Sequence, residues 1–251
     1  MAVLGIRDMG LGTGASLSHY PILYAMQRML LVVAKRPAAG QTKTRLCPPL
    51  TGAAAAALYT CFLRDTLDVM RQVPDVGRGI AYIPEAARDY FAILAPDMQL
   101  SLQQGVDLGQ RLDHLLSAAL EAGASQAVVM DSDSPTLPAD YLMQAFAALS
   151  GPNDVVLGPC EDGGYYLIGL KRPQPRLLRD VQMSTPYVVR DTLALAEQLG
   201  LQVALLPTWY DVDTVAELDR LRAELRDAPP HMACYTRAFL AARSLGHELE
   251  S

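Results

Sequence analysis

The chain has only four cysteines, Cys47, Cys61, Cys160 and Cys234, and no two of them form a CxxC pair. Cysteines scattered in this way exclude a zinc-ribbon type site and a disulfide framework, and they read as reduced thiols. The four histidines do not cluster either. No apolar run reaches the roughly 20 residues of a membrane-spanning helix. The first residues lack a basic segment ahead of an apolar core, so no secretory signal is recognisable. Basic residues are not in excess: the formal net charge is −6, which argues against a nucleic-acid partner, since wide contact needs a basic footprint. A local basic loop can still hold a small phosphorylated ligand. No internal repeat and no long linker interrupts the chain. What remains is a soluble, cytoplasmic globular protein with no membrane partner. Its 251 residues, 51% of them apolar, suffice for one large α/β domain or two small ones.

Residues 1–28 differ from the rest, being glycine-rich and without clear periodicity. Their GLGTG run, Gly10 to Gly14, has no strand before it and no amphipathic helix directly after it, so it is not a nucleotide loop. The segment is expected to be a flexible leader, or the product of an upstream start codon ahead of Met29. The transferable signal begins with MLLVVAK, a buried first strand. From there strand patterns (GIAYIP, QAVVM, DVVLGPC, LQVALLP) alternate with helical ones, among them TGAAAAALYTCFLRDTLDVMRQV with Thr51 as its cap. This alternation predicts a three-layer α/β/α domain over residues 29–228, built on a mostly parallel mixed sheet. Residues 229–251 are expected to form a C-terminal helical extension that packs on the domain or on another subunit, as in a homodimer.

Two stretches carry the chemistry: VVMDSDSPTLP at 128–138 and WYDVDTVAEL at 209–218. Each sets aspartates just beyond an apolar strand, and the carboxyl ends of strands are where open α/β sheets bind ligands. Carboxylates gathered there are costly unless they bind a cation or hydrogen-bond donors. Asp133, Asp211 and Asp213 are therefore read as a metal site for Mg²⁺ (or Mn²⁺), a hard cation that takes carboxylate oxygens and carries phosphates with it. Asp211 and Asp213 alternate on an extended strand and can face the same ion; the competing structural reading has Asp211 cap the next helix. The loop KRPAAGQTKTRL after the first strand concentrates Lys35, Arg36, Lys43 and Arg45 around Gly40, suited to phosphate oxygens. It is not a Walker loop, because Thr42 stands where that motif needs glycine before its lysine.

Three further segments are candidates for binding. QQGVDLGQRL offers Asp107 and Gly109 at a strand-to-helix junction, where the glycine lets a base or ribose approach the backbone and Asp107 either accepts a hydrogen bond from it or caps the helix. In EDGGYYLIGL, Asp162 projects from a Gly163-Gly164 turn, where it can position an acceptor or take a proton from its hydroxyl. The same string is also a hairpin signal. One of Tyr165 and Tyr166 is expected to face the core. Ser184 and Thr185 are expected to cap a helix starting near Pro186.

KRPAAGQTKTRL, QQGVDLGQRL, DSDSPTLP, GPCEDGGYYLIGL, MSTPYVVRDTL and WYDVDTVAEL occur in this order. Together they closely resemble a bacterial family of GT-A-type transferases within the nucleotide-diphospho-sugar transferase superfamily, over residues 29–225. The chain is more distantly similar to phospholactate and molybdenum-cofactor guanylyltransferases. The resemblance implies a GT-A, Rossmann-like fold with a nucleotide-binding amino half and an acceptor-binding carboxyl half. It implies that Lys35, Gly40, Lys43 and Arg45 grip a triphosphate, with Asp107 and Gly109 near the nucleoside. It implies Asp133 as a metal ligand, Asp211 and Asp213 as the second ligand segment, and Asp162, Gly163 and Gly164 on the acceptor side. Lys43, Asp133 and Asp162 are the expected catalytic residues. The activity implied is Mg²⁺-dependent nucleotidyl transfer from an NTP to a small phosphorylated or carboxylated acceptor. Glycosyl transfer from a nucleotide sugar is the alternative, and a non-catalytic nucleotide sensor is a third reading.

Overall fold

The computed structural model of the protein describes residues 27–248, with side chains described as far as Arg243. The leader assigned to residues 1–28, with its GLGTG run, lies outside the described residues except for its last two positions. Arg28 already opens the first strand.

Seven strands form one mixed sheet: β1 (Arg28–Lys35), β2 (Gly77–Ile83), β3 (Gln99–Leu102), β4 (Gln126–Met130), β5 (Val155–Pro159), β6 (Tyr165–Leu170) and β7 (Val203–Leu205). Their order is β3-β2-β1-β4-β6-β5-β7. Every pairing is parallel except those of β6, which runs antiparallel to β4 and β5. Among the described residues eight α-helices accompany the strands: α1 (Gly52–Arg71), α2 (Arg88–Leu94), α3 (Leu108–Glu121), α4 (Ala139–Ser150), α5 (Pro175–Arg179), α6 (Val188–Gln198), α7 (Val215–Asp227) and α8 (Cys234–Glu248).

The strand sequences explain the layering. In MLLVVAK, Leu30, Val32 and Ala34 point into one apolar core while Met29 and Leu31 point into the other. Successive side chains of a strand alternate between faces, so a strand covered on both sides reads as an unbroken apolar run. The core on one face joins α1, α4 and α7, and that on the other joins α3 and α5. Helix α1 buries Leu58, Tyr59, Phe62, Leu63, Thr66 and Met70, a stripe at helical spacing. Each such leucine or phenylalanine removed from water contributes about 1.5–3 kcal/mol. The Thr51 hydroxyl accepts from Ala54 N and starts α1, as its position before the alanine run predicts.

Helix α8 packs along α1. The Asp65 carboxylate on α1 accepts hydrogen bonds from the backbone N–H groups of Tyr235 (3.0 Å) and Thr236 (2.8 Å), in the first turn of α8. A buried carboxylate on one helix thus satisfies amides that the other leaves without an intrahelical acceptor.

The polypeptide leaves β1, adds β2 and β3 on one side, and returns through α3 to place β4 on the other side of β1. At that reversal the loops after β1 and β4 diverge and leave a crevice at the strands' carboxyl ends. No described helix is long and apolar enough to cross a membrane.

Candidate active site at the strand-order reversal

The loop after β1 is shaped by its own short-range bonds. Gln41 N and Thr42 N both donate to Ala38 O (3.1 Å each), and Ala38 N donates back to the buried Thr42 hydroxyl (3.0 Å). Gly40, at φ 72°, supplies the left-handed residue of this turn. It lies against the start of α1, where a Cβ on Gly52 would stand 2.8 Å from Gly40 N. Lys43 is itself left-handed (φ 50°, ψ 41°), and the following 3-10 turn Thr44–Leu46 is anchored by the buried Leu46. The conformation turns the Lys43 side chain inward until only 5% of it is exposed.

Lys43 Nζ meets two carboxylates there: Asp133 Oδ1 at 2.8 Å and Asp213 Oδ1 at 2.7 Å. Burial works against the ammonium charge, but the two carboxylates outweigh it and hold the lysine above its ordinary range. Arg45 remains largely exposed, 3.6 Å from Asp213 Oδ2. The Lys35 ammonium donates to Gln41 O at 3.1 Å. Lys35, Lys43, Arg45, Asp133 and Asp213, with Thr42 and Tyr59, line one cleft of about 250 Å³.

The carboxylates are positioned by backbone contacts between two distant segments. Val212 N donates to Asp133 O (3.0 Å), and the Ser134 hydroxyl donates to Tyr210 O (3.0 Å). Asp213 is fixed from behind, because Glu217 of α7 accepts from both Asp213 N (2.8 Å) and Thr214 N (2.6 Å). The second contact is half of a capping box in which Thr214, and not Asp211, caps α7. Beneath the cleft, Lys35 N donates to the Tyr59 hydroxyl (3.4 Å), which lies 2.7 Å from Ser132 Oγ. Ser132 spends its one proton on Val33 O (3.1 Å), so Tyr59 is the donor to Ser132. This relay ties β1, α1 and the DSDSP loop together.

Asp211 turns to a second group. Its Oδ1 accepts from the Cys160 thiol at 2.7 Å. The ligand atoms of Asp131, Cys160 and Asp211 all lie within 4.8 Å of one another. Burial, followed by the charges of Asp211 and Asp133, pushes the Asp131 carboxyl well above the usual range. Burial also pushes Asp211 up to about 6, with Asp133, Asp162 and Asp213 adding to it against the thiol's hydrogen bond. The Cys160 thiol is held up by burial and by the charges of Asp211 and Asp131. The DVD pair is therefore divided: Asp213 faces Lys43 and Asp133, while Asp211 faces Asp131 and Cys160. Asp131, two residues before Asp133, belongs to this cluster and, like Cys160, Tyr59 and Ser132, was not among the expected site residues. Nothing marks a lone cysteine for such a place until the β5–β6 hairpin brings it beside Asp211.

Asp162, Gly163 and Gly164 form the turn of that hairpin. Gly164 N donates to Asp162 Oδ1 (2.8 Å), and Gly163 N to Cys160 O (3.1 Å). Gly163 is left-handed at φ 91°, and a Cβ there would come within 2.0 Å of Pro186 O. Val189 N donates to Gly163 O (3.0 Å), which clips the turn to the start of α6. Ser184 and Thr185 do not cap that helix: Ser184 is left-handed, Thr185 Oγ1 accepts from Tyr187 N (3.3 Å), and α6 begins at Val188 without a side-chain cap. Of the two tyrosines, Tyr166 is fully buried, and its hydroxyl donates to Pro207 O (3.0 Å). Tyr165 turns its hydroxyl toward Met183 Sδ at 3.5 Å.

Asp107 and Gly109 have duties in the fold. Asp107 Oδ1 accepts from Gln110 N (2.8 Å) and caps α3. A Cβ on Gly109 would lie 2.2 Å from Leu178 O, so its lack of a side chain lets α3 approach α5. Neither lines the cleft that holds Lys43.

The donor set fits a hard divalent cation. Asp133 and Asp213 already converge on one positive centre, the Lys43 ammonium, and two more carboxylates, Asp131 and Asp211, adjoin them. An oxygen-rich acidic site of this kind suits Mg²⁺ or Mn²⁺.

A seven-stranded, mostly parallel mixed sheet with this cleft defines the nucleotide-diphospho-sugar transferase class of α/β fold. Residues 66–185 match the family profile described as "Uncharacterized protein conserved in bacteria (DUF2064)". A candidate nucleotide-diphospho-sugar transferase from Desulfovibrio desulfuricans is 31% identical in sequence and superposes with a TM-score of 0.80, over 87% of this chain and 96% of that one. The chain belongs to this bacterial family. Fold similarity extends to CMP:2-keto-3-deoxy-manno-octonic acid synthetase in complex with CTP (13% identity, TM-score 0.52, 80% of this chain and 98% of that one). It extends also to a cytidylyltransferase from Leptospira borgpetersenii (12% identity, TM-score 0.51, 87% and 95%). At these identities the similarity establishes the fold alone. No protein of curated function matches the sequence.

Proposed function

We propose that the protein is a metal-dependent transferase that moves a nucleotidyl group from an NTP to a small phosphorylated or carboxylated acceptor. The observation that carries the reading is the convergence of Lys43, Asp133 and Asp213 in one cleft, with Lys35 and Arg45 lining the same cleft. A triphosphate carries more negative charge than the diphosphate of a nucleotide sugar and calls for more cationic contacts. Three basic side chains supply them here. Asp133 and Asp213, with Asp211 adjoining, would hold Mg²⁺ or Mn²⁺. Bound there, such an ion neutralises phosphate oxygens and stabilises charge that develops as the phosphoryl bond breaks. Lys43 and Arg45 place positive charge on the departing pyrophosphate. Lys35, the third of these cations, also donates to Gln41 O of the same loop. Asp162, near enough to Asp211 to raise its carboxyl, would orient an acceptor. Catalysis on this reading is positioning and electrostatic stabilisation, without a covalent enzyme intermediate.

Glycosyl transfer from a nucleotide sugar is the second reading, favoured by the description of the 31% identical relative from Desulfovibrio. The same carboxylates would serve it, with Asp162 as the base for an acceptor hydroxyl. Product analysis separates the two. Incubation with NTPs, nucleotide sugars and an acceptor panel in Mg²⁺ should release pyrophosphate for nucleotidyl transfer. Release of nucleoside diphosphate from a nucleotide sugar would replace that reading with glycosyl transfer.

A further inference from the structure

Lys43 is the least exposed cation of the cleft, yet on the reading above it must meet phosphates brought in from solvent. Its ammonium is bracketed instead by Asp133 and Asp213, the two carboxylates that the same reading gives to a divalent cation. One positive centre between two carboxylates is a stable arrangement; a second cation added there, with the ammonium still in place, meets like charge at close range. The two cations therefore compete for the same oxygens. We propose that Lys43 is a built-in surrogate cation that holds the metal position closed until a metal-bound phosphate ligand offers its ammonium a replacement anion.

The loop supplies what such an exchange needs. Lys43 sits between the Gly40 turn and the Leu46 anchor in a left-handed conformation that a lysine adopts only under constraint. Release of the ammonium from the carboxylates leaves Asp133 and Asp213 in place. The Asp133 backbone is held through Val212 N, and the Asp213 backbone through Glu217, by bonds that do not involve Lys43. The main chain that carries both carboxylates stays fixed while the lysine moves. Arg45, mostly exposed and 3.6 Å from Asp213 Oδ2, is open to phosphate oxygens from solvent.

The consequence is coupling. Free metal must displace the ammonium without compensation, so its apparent affinity falls by the fraction of molecules in which Lys43 is out of the way. A phosphate ligand arriving with the metal accepts the released ammonium, so each favours binding of the other. The substrate is thus the metal–nucleotide complex, and neither component binds well alone. This deepens the metal–nucleotide reading above and rests on it.

The test uses Mn²⁺ alone, followed by electron paramagnetic resonance or calorimetry on the full chain. Lys43→Met, which keeps the length of the side chain without its charge, should bind Mn²⁺ about tenfold or more tighter than the wild type, as removal of a competing occupant requires. Arg45→Met removes a like charge from the rim and should change Mn²⁺ affinity far less. In the wild type, saturating Mn²⁺ should raise acylation of Lys43 by acetic anhydride several-fold, a readout that does not depend on how any variant folds. Equal Mn²⁺ affinity of Lys43→Met and the wild type overturns the exchange. So does an equal gain in Arg45→Met, or a Lys43 that stays unreactive while Mn²⁺ is bound. Absence of Mn²⁺ binding by all three proteins removes the metal reading itself, a distinct failure.

Discussion

The Lys43 ammonium stands 2.7 Å from Asp213 Oδ1 and joins residues 170 positions apart in sequence. That contact closes the cleft between its amino-terminal wall, the basic loop after β1, and its carboxyl-terminal wall, the segment before α7. Asp133, from the loop after β4, completes the bracket at 2.8 Å. Three loops that meet only at the reversal of strand order thus supply one cationic and two anionic groups to a single point. A lysine 5% exposed is tolerated there because both neighbours are anionic.

Lys43→Ala should weaken NTP binding much more than NMP binding. The lysine is assigned to the β- and γ-phosphates, and a charge-assisted hydrogen bond contributes roughly 1.5–3 kcal/mol, so the preference for NTP over NMP should fall about tenfold or more. Calorimetry with matched NTP and NMP pairs checks this. Equal losses for both would remove the triphosphate from the assignment.

Asp133→Asn and Asp213→Asn each keep shape and remove a charge from the bracket. Each should lower turnover by about 10²-fold or more, the scale of losing one preorganised electrostatic contact in a site of this type. Nucleotide binding should also lose its Mg²⁺ dependence. An Asp133→Asn protein whose nucleotide affinity still rises with Mg²⁺ would take Asp133 out of the metal's ligands.

Gly163→Ala should destabilise the fold by about 1–3 kcal/mol, because an alanine there is strained at positive φ and its Cβ collides with Pro186 O. The damage should fall on the hairpin and the start of α6, and so on acceptor affinity more than on NTP affinity. Urea unfolding and separate titrations of the two ligands check both parts.

Asp65 gives a pH dependence whose sign follows from its place under α8. Burial raises its carboxyl above the usual range, against the pull of the Thr236 and Tyr235 bonds. With the folded-state pKa the higher one, the folded protein keeps this proton after the unfolded chain has lost it. The contribution of Asp65 to stability is therefore largest below the unfolded pKa, about 3.9, and declines as pH rises through the window up to the raised folded value. The difference in unfolding free energy between the wild type and Asp65→Ala should shrink across that window and then level off. A difference that grows with pH would contradict the assignment.

Parts of this architecture were legible because local physics reports them directly. MLLVVAK announces a strand covered on both faces, and Thr51 before an alanine run announces the start of α1. Lys43, Asp133 and Asp213 were legible as candidates because each follows a strand, and the sheet order then carries all three to one crevice. Whether Asp211 shares their cation could not be read from alternation along the chain. Its partner is set by Cys160, which reaches it only through the β5–β6 hairpin. Asp107 looked equally suited to a ligand and to a helix cap, since both use the same carboxylate, while the packing duty of Gly109 became visible only where α3 meets Leu178. The capping duty expected of Ser184 and Thr185 failed because Ser184 is left-handed and the Thr185 hydroxyl is taken by Tyr187 N, ahead of a helix that starts only at Val188.

The most direct test of the central claim is a thermal-shift titration of the full chain with ATP, GTP, CTP, UTP, the matching NMPs and a set of nucleotide sugars, each with and without Mg²⁺. An NTP at about 100 times its Kd should raise Tm by about 5 °C or more. The account predicts that this shift appears for at least one NTP only when Mg²⁺ is present, and exceeds that of its NMP. Equal shifts with and without Mg²⁺, or no shift with any nucleotide, would contradict it.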